Sequence, residues 1–295
     1  MAENSNLLSC ILCDTDKSSK LKFIKKGYKI YHCSNCDLGF VYPRPSKKEL
    51  STFYDSSFFN RGNKYSTNKK KILDANKLND ITKWNVINNY VKSGKLLDVG
   101  CAVGDFLNLA RKYGMEVSGV EISEYAVKQA KKKYDLEVHC GDLLSYNPQS
   151  EFFDLITMWD VIEHLADIES TISRASNLLE LKGYLAFSTP DIGSTWASLV
   201  GKRWRHLIPP FHLNYFSQAS ITFLLEKHNF EVVEFVYSRK YTSVEFATFK
   251  LREMYGSLAA PFKTLSNVFE LNSKLLKINF YDLMTCICRK KVIEN

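Results

Sequence analysis

The stretch Lys95-Leu-Leu-Asp98-Val-Gly100-Cys-Ala102-Val-Gly104-Asp105-Phe106 decides the fold. An apolar strand runs into a turn with small residues at 100, 102 and 104, and a helix starts at once. That arrangement seats a nucleotide-like ligand at the mouth of a doubly wound sheet. Small side chains let the backbone come close to such a ligand. A glycine pattern alone is weak, and Ala102 replaces the middle glycine of the dinucleotide fingerprint; the residues downstream must decide.

Downstream, strand and helix alternate: strand 95–99, helix 106–113, strand 116–121, helix 124–133, strand 137–140, strand 153–158, helix 168–179 and strand 183–188. Strands at 230–237 and near 283–289 complete a set of seven. The reading predicts an α/β fold, a Rossmann-like, doubly wound and mainly parallel sheet. Three acids fall at its successive strand ends. Asp98 closes the first strand. Gly119-Val-Glu121-Ile122 closes the second, about seventeen residues past the turn, with a carboxylate able to accept both hydroxyls of a ribose. Cys140-Gly-Asp142-Leu143 closes the third, facing an adenine amino group. Phe153 to Asp160, with Trp159, ends the fourth strand at the mouth of the crevice. The expected cofactor contacts are therefore Asp98, Gly100, Ala102, Gly104, Glu121, Ile122, Asp142, Leu143 and Trp159.

As a set these landmarks resemble the class I S-adenosylmethionine-dependent methyltransferases over residues 94 to about 240. Asp98-x-Gly100 in place of a leading Gly-x-Gly separates them from dehydrogenases, because that family uses the early carboxylate near the methionine moiety. A nicotinamide enzyme and a fold that has lost its ligand are the rivals at this point.

Toward the N-terminus, Cys10-x-x-Cys13 and Cys33-x-x-Cys36 stand nineteen residues apart among short β-prone pieces at 20–24 and 29–32. Two such pairs bring four thiolates to the corners of a tetrahedron, and the spacing predicts a small zinc ribbon. A segment this short has too few large apolar groups for a core of its own, so metal binding would supply folding energy. Four thiolates leave no open coordination position, which makes the expected Zn2+ structural. His32 is expected beside the ligand set and not in it. The predicted organisation is a ribbon at 1–45, a helical linker or cap at 46–93 with a helix over 68–91 and the aromatics Phe53, Tyr54, Phe58 and Phe59, and the α/β domain at 94–295.

Composition bounds the rest. The 295 residues are 45% apolar and 24% charged, the range of an ordinary globular chain. No run of eighteen apolar residues and no leader pattern is visible, so a soluble cytoplasmic protein is expected. The four cysteines without ligand spacing, Cys101, Cys140, Cys286 and Cys288, are expected as buried thiols. The charge of +8 admits an acidic partner, although the lysine runs 69–71 and 131–133 suit solvated helix faces.

Methyl transfer from a sulfonium is an in-line displacement, and a hydroxyl acceptor must also lose its proton. Val161-Ile-Glu163-His164 follows the fourth strand, and the Glu-His pair resembles the segment found there in many small-molecule methyltransferases. His164 is the first candidate base; its alternative is a helix-start residue lining the pocket. A second cluster, Trp196 to Ser217, crowds aromatic, basic and histidine residues into a predicted lid at about 191–217. There His212 is a second candidate base, and Arg203, Arg205 and Tyr215 are candidate substrate contacts. The alternative is that the aromatics pack the lid while the arginines are solvated.

His212-Leu-Asn-Tyr-Phe-Ser together with the ribbon looks like a branch of bacterial methyltransferases of sugar and surface-glycan biosynthesis. Relatives that methylate carbon carry Tyr-His-Glu-His where this chain has Pro209-Pro210-Phe211-His212. Only His212 matches, so the resemblance implies O-methylation of a sugar hydroxyl, with a small-molecule partner. A second class, rRNA or tRNA base methylation, lacks here an Asn/Asp-Pro-Pro-Tyr/Phe motif and a dense basic stripe. A third is an inactive core serving as a binding protein. The stretch 251–278, with Phe262, Leu265, Val268, Leu271 and Leu275, reads as a helix packed on the sheet or, alternatively, a peripheral membrane contact.

Overall fold

The computed structural model describes residues 7–46, 49–50, 69–148, 152–255 and 274–292. Phe53, Tyr54, Phe58, Phe59 and the apolar positions Phe262 to Leu271 lie outside them.

The core is a seven-stranded sheet. Its members are β5 (Gly94–Val99), β6 (Met115–Glu121), β7 (Val138–Cys140), β8 (Phe153–Trp159), β9 (Leu179–Pro190), β11 (Phe230–Val236) and β14 (Leu283–Lys290). The order is β11-β14-β9-β8-β5-β6-β7. Neighbours from β9 to β7 run parallel, and β14 is antiparallel to both β9 and β11. This is the doubly wound, mainly parallel sheet that the alternation predicts. A separate two-stranded sheet pairs β12 (Lys240–Ser243) with β13 (Leu275–Ile278), antiparallel.

Strand alternation assigns the faces. Leu97, Ile156 and Phe187 enter one apolar cluster, while their sequence neighbours Leu96, Leu155 and Ala186 enter the other. Both faces are thus buried, which is why the central strands are predominantly apolar. The covering helices are α1 (Lys69–Ile87), α2 (Asp105–Lys112), α3 (Glu124–Tyr134), α4 (Ile168–Leu178), α5 (Thr195–Val200), α6 (Gln218–Lys227) and α7 (Val244–Tyr255). Side-chain oxygens cap several N-termini: Ser123 accepts from Ala126 N, Asp167 from Ser170 N, and Ser217 and Ser220 form a reciprocal capping box. No described helix is long and apolar enough to cross a membrane.

Three features differ from expectation. Leu275–Ile278, at the end of the stretch read as a helix, is the strand β13, because pairing with β12 takes up its backbone. Strand β9 begins at Leu179, four residues early, because the chain leaves α4 straight into the sheet and the register with β8 slips between Phe153 and Leu155. Cys140 is exposed, unlike Cys101, Cys286 and Cys288; it ends β7, the edge strand, where no neighbour covers it.

The N-terminal ribbon is β1 (Leu7–Leu8), β2 (Ser19–Lys25), β3 (Tyr28–Cys33) and β4 (Gly39–Val41). It does not stand alone. Strand β4 pairs with β10 (Asn214–Tyr215) of the predicted lid, Asn214 opposite Phe40 and Tyr215 opposite Gly39, giving a five-stranded sheet. Ribbon residues Leu12, Tyr31, Leu38 and Phe40 belong to the same apolar cluster as the sheet face carrying Phe187.

Candidate active site

The crevice forms where β5 to β8 end. Gly100, Ala102 and Gly104 all have left-handed backbones, at φ 73°, 50° and 80°. A Cβ at Gly100 would lie 2.6 Å from Val161 Cγ2, so only glycine combines this turn with this packing. Glu121 fastens the loop: its Oε2 accepts from Ala102 N at 2.9 Å and its Oε1 from Ser123 N at 2.9 Å. Each oxygen keeps a further lone pair for a ligand hydroxyl. Burial raises the Glu121 pKa, and these amides oppose the rise.

Asp98 is buried and accepts from Thr157 Oγ1 at 2.6 Å. Burial pushes its carboxyl up to about 7, against the hydrogen bond from Thr157. The unfolded value is about 3.9, so this contribution to stability is fully present below about pH 4 and is lost as pH rises through about 7. Each pH unit in that window costs at most about 1.4 kcal/mol. Asp98→Asn keeps an acceptor for Thr157 and removes the titration. The Tm of the ligand-free wild type therefore falls more steeply than that of Asp98→Asn between pH 5 and 8 in a melting series; parallel curves would refute the assignment.

The remaining crevice residues are dispersed in exposure. Ile122 is open to solvent and Leu143 is buried. The exposed Asp142 accepts from Ser145 N in a tight turn. Trp159 is buried edge-on to Phe106, with no hydrogen-bond partner for its indole nitrogen. Lys83, from α1, stands 5.3 Å over the Trp159 ring and 5.9 Å over Phe106, a cation–π arrangement.

Asp160 follows β8 with a left-handed backbone (φ 56°). It accepts from Ser188 Oγ at 2.8 Å and faces Lys240 Nζ at 3.5 Å. Burial opposes its ionisation, but Lys240 and Lys83 hold the carboxyl well below the usual range. Lys83, Thr157, Ser188 and Lys240 carry no motif, and only the packing of α1, β8, β9 and β12 brings them here.

On the acceptor side, His164 Nδ1 lies 2.7 Å from the Phe211 carbonyl. A carbonyl only accepts, so Nδ1 carries the proton and Nε2 presents a lone pair. The rings of His164 and His212 meet edge-to-face at 4.8 Å, and His206 lies 6.2 Å from His212. Burial lowers all three; His212 falls to about 3, with the neighbouring His164 adding to the effect. Glu163 is buried beside them, pushed up to about 8 by burial and by the Asp160 charge.

The three candidate substrate contacts lie in different surroundings. Arg205 is committed to the chain itself: its guanidinium donates to Asp282 Oδ1 at 2.8 Å and lies 5.0 Å from the Phe280 ring. Tyr215 is 1% exposed, fixed by β10 in a cluster with Ile192, Trp204 and Leu207. Strand pairing with Gly39 turns it into the packing between ribbon and lid. Arg203 remains exposed on a short helical turn.

In the ribbon, Cys10 Sγ lies 3.5 Å from Cys36 Sγ and Cys13 Sγ 3.6 Å from Cys33 Sγ, with all four sulfurs within 4.8 Å. Corners of a tetrahedron with zinc–sulfur bonds of about 2.3 Å are about 3.8 Å apart. Leu12 N and Asn35 N donate to Cys10 and Cys33 sulfurs, and the Cys36 thiol lowers the Cys10 pKa. The cluster is compatible with a zinc ribbon. His32 lies outside it, 2.7 Å from Asp37. Asp37 also lines a cleft of about 720 Å³ with Asp191, Trp196, Tyr237 and Phe280.

Comparison with known proteins gives a consistent picture of the core. A family described as a methyltransferase domain matches residues 65–235. The chain is 31% identical over 104 residues to a ubiquinone biosynthesis O-methyltransferase of Coxiella burnetii, covering 34% of this chain and 44% of that protein. The enzyme of the same name from Thiobacillus denitrificans is 33% identical over 103 residues, 32% and 44% of the two chains. The alignments thus span less than half the length of these relatives. Among solved structures, magnesium protoporphyrin IX methyltransferase from Synechocystis superposes with a TM-score of 0.54 at 17% identity, over 83% of this chain and 100% of that one. A SAM-dependent methyltransferase from Archaeoglobus fulgidus gives 0.51 at 19% identity, over 72% and 94%. At these identities the structural likeness is one of fold.

Proposed function

The chain belongs to the methyltransferase domain family, and from that premise we propose that it moves the methyl group of S-adenosylmethionine to a hydroxyl oxygen of a small molecule. One observation carries this reading: Asp98, Glu121 and Asp142 end three successive strands around the left-handed turn at Gly100, Ala102 and Gly104. In this reading Glu121 holds the ribose hydroxyls through its remaining lone pairs, Asp98 faces the methionine ammonium, Asp142 the adenine, and Ile122, Leu143 and Trp159 wall the pocket. The bound cofactor supplies an electrophilic methyl group on a sulfonium. The protein's part is to align the acceptor and to receive its proton.

The cluster of His164, His212 and Glu163 is the proton-handling group of the acceptor side, with the His164 lone pair fixed by the Phe211 carbonyl. The Cys10, Cys13, Cys33 and Cys36 set holds a structural zinc, a reading supported by its near-tetrahedral spacing. The acceptor is a sugar hydroxyl of a nucleotide-linked or surface-glycan precursor; the ribbon and the His212-to-Ser217 stretch support this. The name of the ubiquinone-pathway relatives favours a second reading, a phenolic hydroxyl on a quinone precursor.

The test is an assay of S-adenosylhomocysteine release with a panel of sugar nucleotides and, in parallel, a prenylated catechol. Turnover with a sugar nucleotide is expected, falling about 10²-fold or more in His164→Ala. Turnover with the catechol alone would transfer the assignment to the second reading. Binding of the cofactor without turnover of either would sink hydroxyl methylation.

A further inference from the structure

Two polar atoms beside the acceptor are buried without a hydrogen bond of normal geometry, Glu163 Oε2 and His212 Nδ1; the Thr189 hydroxyl, buried beside Glu163, is equally unpaired. Burying such atoms unpartnered is costly, more so for a charge. Glu163 and His212 are 2% and 6% exposed. Among the described residues the ionisable partner within 4.0 Å of Glu163 is His164, whose Nε2 lies 4.0 Å from Glu163 Oε1. One ligand atom from each of Glu163, His164 and His212 falls within a span of 4.8 Å.

We propose that Glu163, His164 and His212 form a second metal site that binds one divalent first-row transition ion, such as zinc, at the acceptor end of the crevice. Two imidazoles and one carboxylate are a donor set that such ions take, and three protein ligands leave a position open, as in catalytic and not structural sites. The surroundings match what ligating histidines require. His164 gives its Nδ1 proton to the Phe211 carbonyl, which turns Nε2 toward the ion and fixes the tautomer.

The backbone holds the ligands in place. Leu213 N donates to the Glu163 carbonyl at 2.9 Å. Asn214 Nδ2 donates to the Ile162 and Leu165 carbonyls at 3.3 and 2.8 Å. These bonds lock the turn bearing Glu163 and His164 to the segment bearing His212. Bonds of about 2.1 Å put tetrahedral ligand atoms about 3.4 Å apart, so the three ligand atoms must draw closer together to close around an ion. The open position faces the acceptor, where an ion can bind its oxygen and raise the acidity of the hydroxyl; with its Nε2 lone pair on the ion, His164 then orients the metal, and the proton leaves to solvent in place of direct transfer to His164.

Metal content tests this independently of methyl transfer. The full chain is loaded with Co²⁺, freed of excess metal, and examined by elemental analysis and absorption. Two ions per chain are expected, one with the intense thiolate charge-transfer band of the ribbon and one with weaker nitrogen–oxygen ligand-field bands. His212→Ala and, separately, Glu163→Gln each reduce the count to one and remove only the weaker bands. Binding of S-adenosylmethionine by calorimetry reports that each variant is folded. A single ion in the wild type, with a spectrum unchanged by either substitution, overturns the proposal. If that protein still binds the cofactor, the methyl-transfer reading survives the loss. Two ions without cofactor binding would instead leave the metal site standing and remove methyl transfer.

Discussion

Gly100→Arg abolishes S-adenosylmethionine binding, at least 100-fold in Kd by calorimetry, while the far-ultraviolet circular dichroism stays that of the wild type. The backbone at Gly100 sits at φ 73°, and an L side chain in that region costs about 1–2 kcal/mol. Its Cβ would also meet Val161 Cγ2 at 2.6 Å, so the chain must either shift the turn or push the residue after β8 aside. Both movements disturb the ligand's space, and the arginine then fills what is left. Gly114→Arg is the control. Gly114 has φ 93° with nothing within 4 Å of an added Cβ, so it bears the same kind of backbone strain without touching the crevice. Cofactor affinity within about 3-fold of wild type is expected there. Equal loss in both variants would mean that global destabilisation, not the crevice, is being measured.

Cys33→Ser has the second large effect, and it acts at a distance. Cys33 is fully buried, accepts from Asn35 N, lies 3.2 Å from Ser18 Oγ, and is one of four thiols within 4.8 Å. Structural zinc in small modules supplies about 10–16 kcal/mol of folding free energy, so with the proposed zinc bound, loss of a ligand is expected to unfold the ribbon. Strand β4 then no longer pairs with β10, and the segment bearing His212 loses one of its anchors. Methyl transfer is expected to fall more than 100-fold while cofactor affinity changes less than about 3-fold, because the crevice strands β5 to β8 pair among themselves. Undiminished transfer in a chain shown to lack ribbon metal would refute this coupling.

The seven strands of the main sheet were legible in the sequence because each is a short apolar run bounded by turn residues, and burial on both faces gives such runs their composition. The turn at Gly100 to Gly104 was legible for the same local reason, and so was the cysteine set, whose two pairs carry their own geometry. Cys140 went astray because composition does not say which strand lies at a sheet edge. The partners of Arg205 and Tyr215 were not legible, because a residue type in a loop does not say what the loop meets. Arg205 meets Asp282, 77 positions away, and Tyr215 meets Gly39, 176 positions away, across one sheet.

From its sequence alone this protein had a doubly wound sheet, a crevice with three acids at its strand ends and four thiolates in ribbon spacing, since periodicity and short-range spacing carry all of these. Tertiary structure alone decided that the ribbon and strand β10 share one sheet, that Lys83 and Lys240 converge on the crevice, and that Glu163 and His164 face His212. The His164 contact with Phe211 spans 47 residues. Contacts of that range depend on how finished elements pack, and no local pattern encodes them.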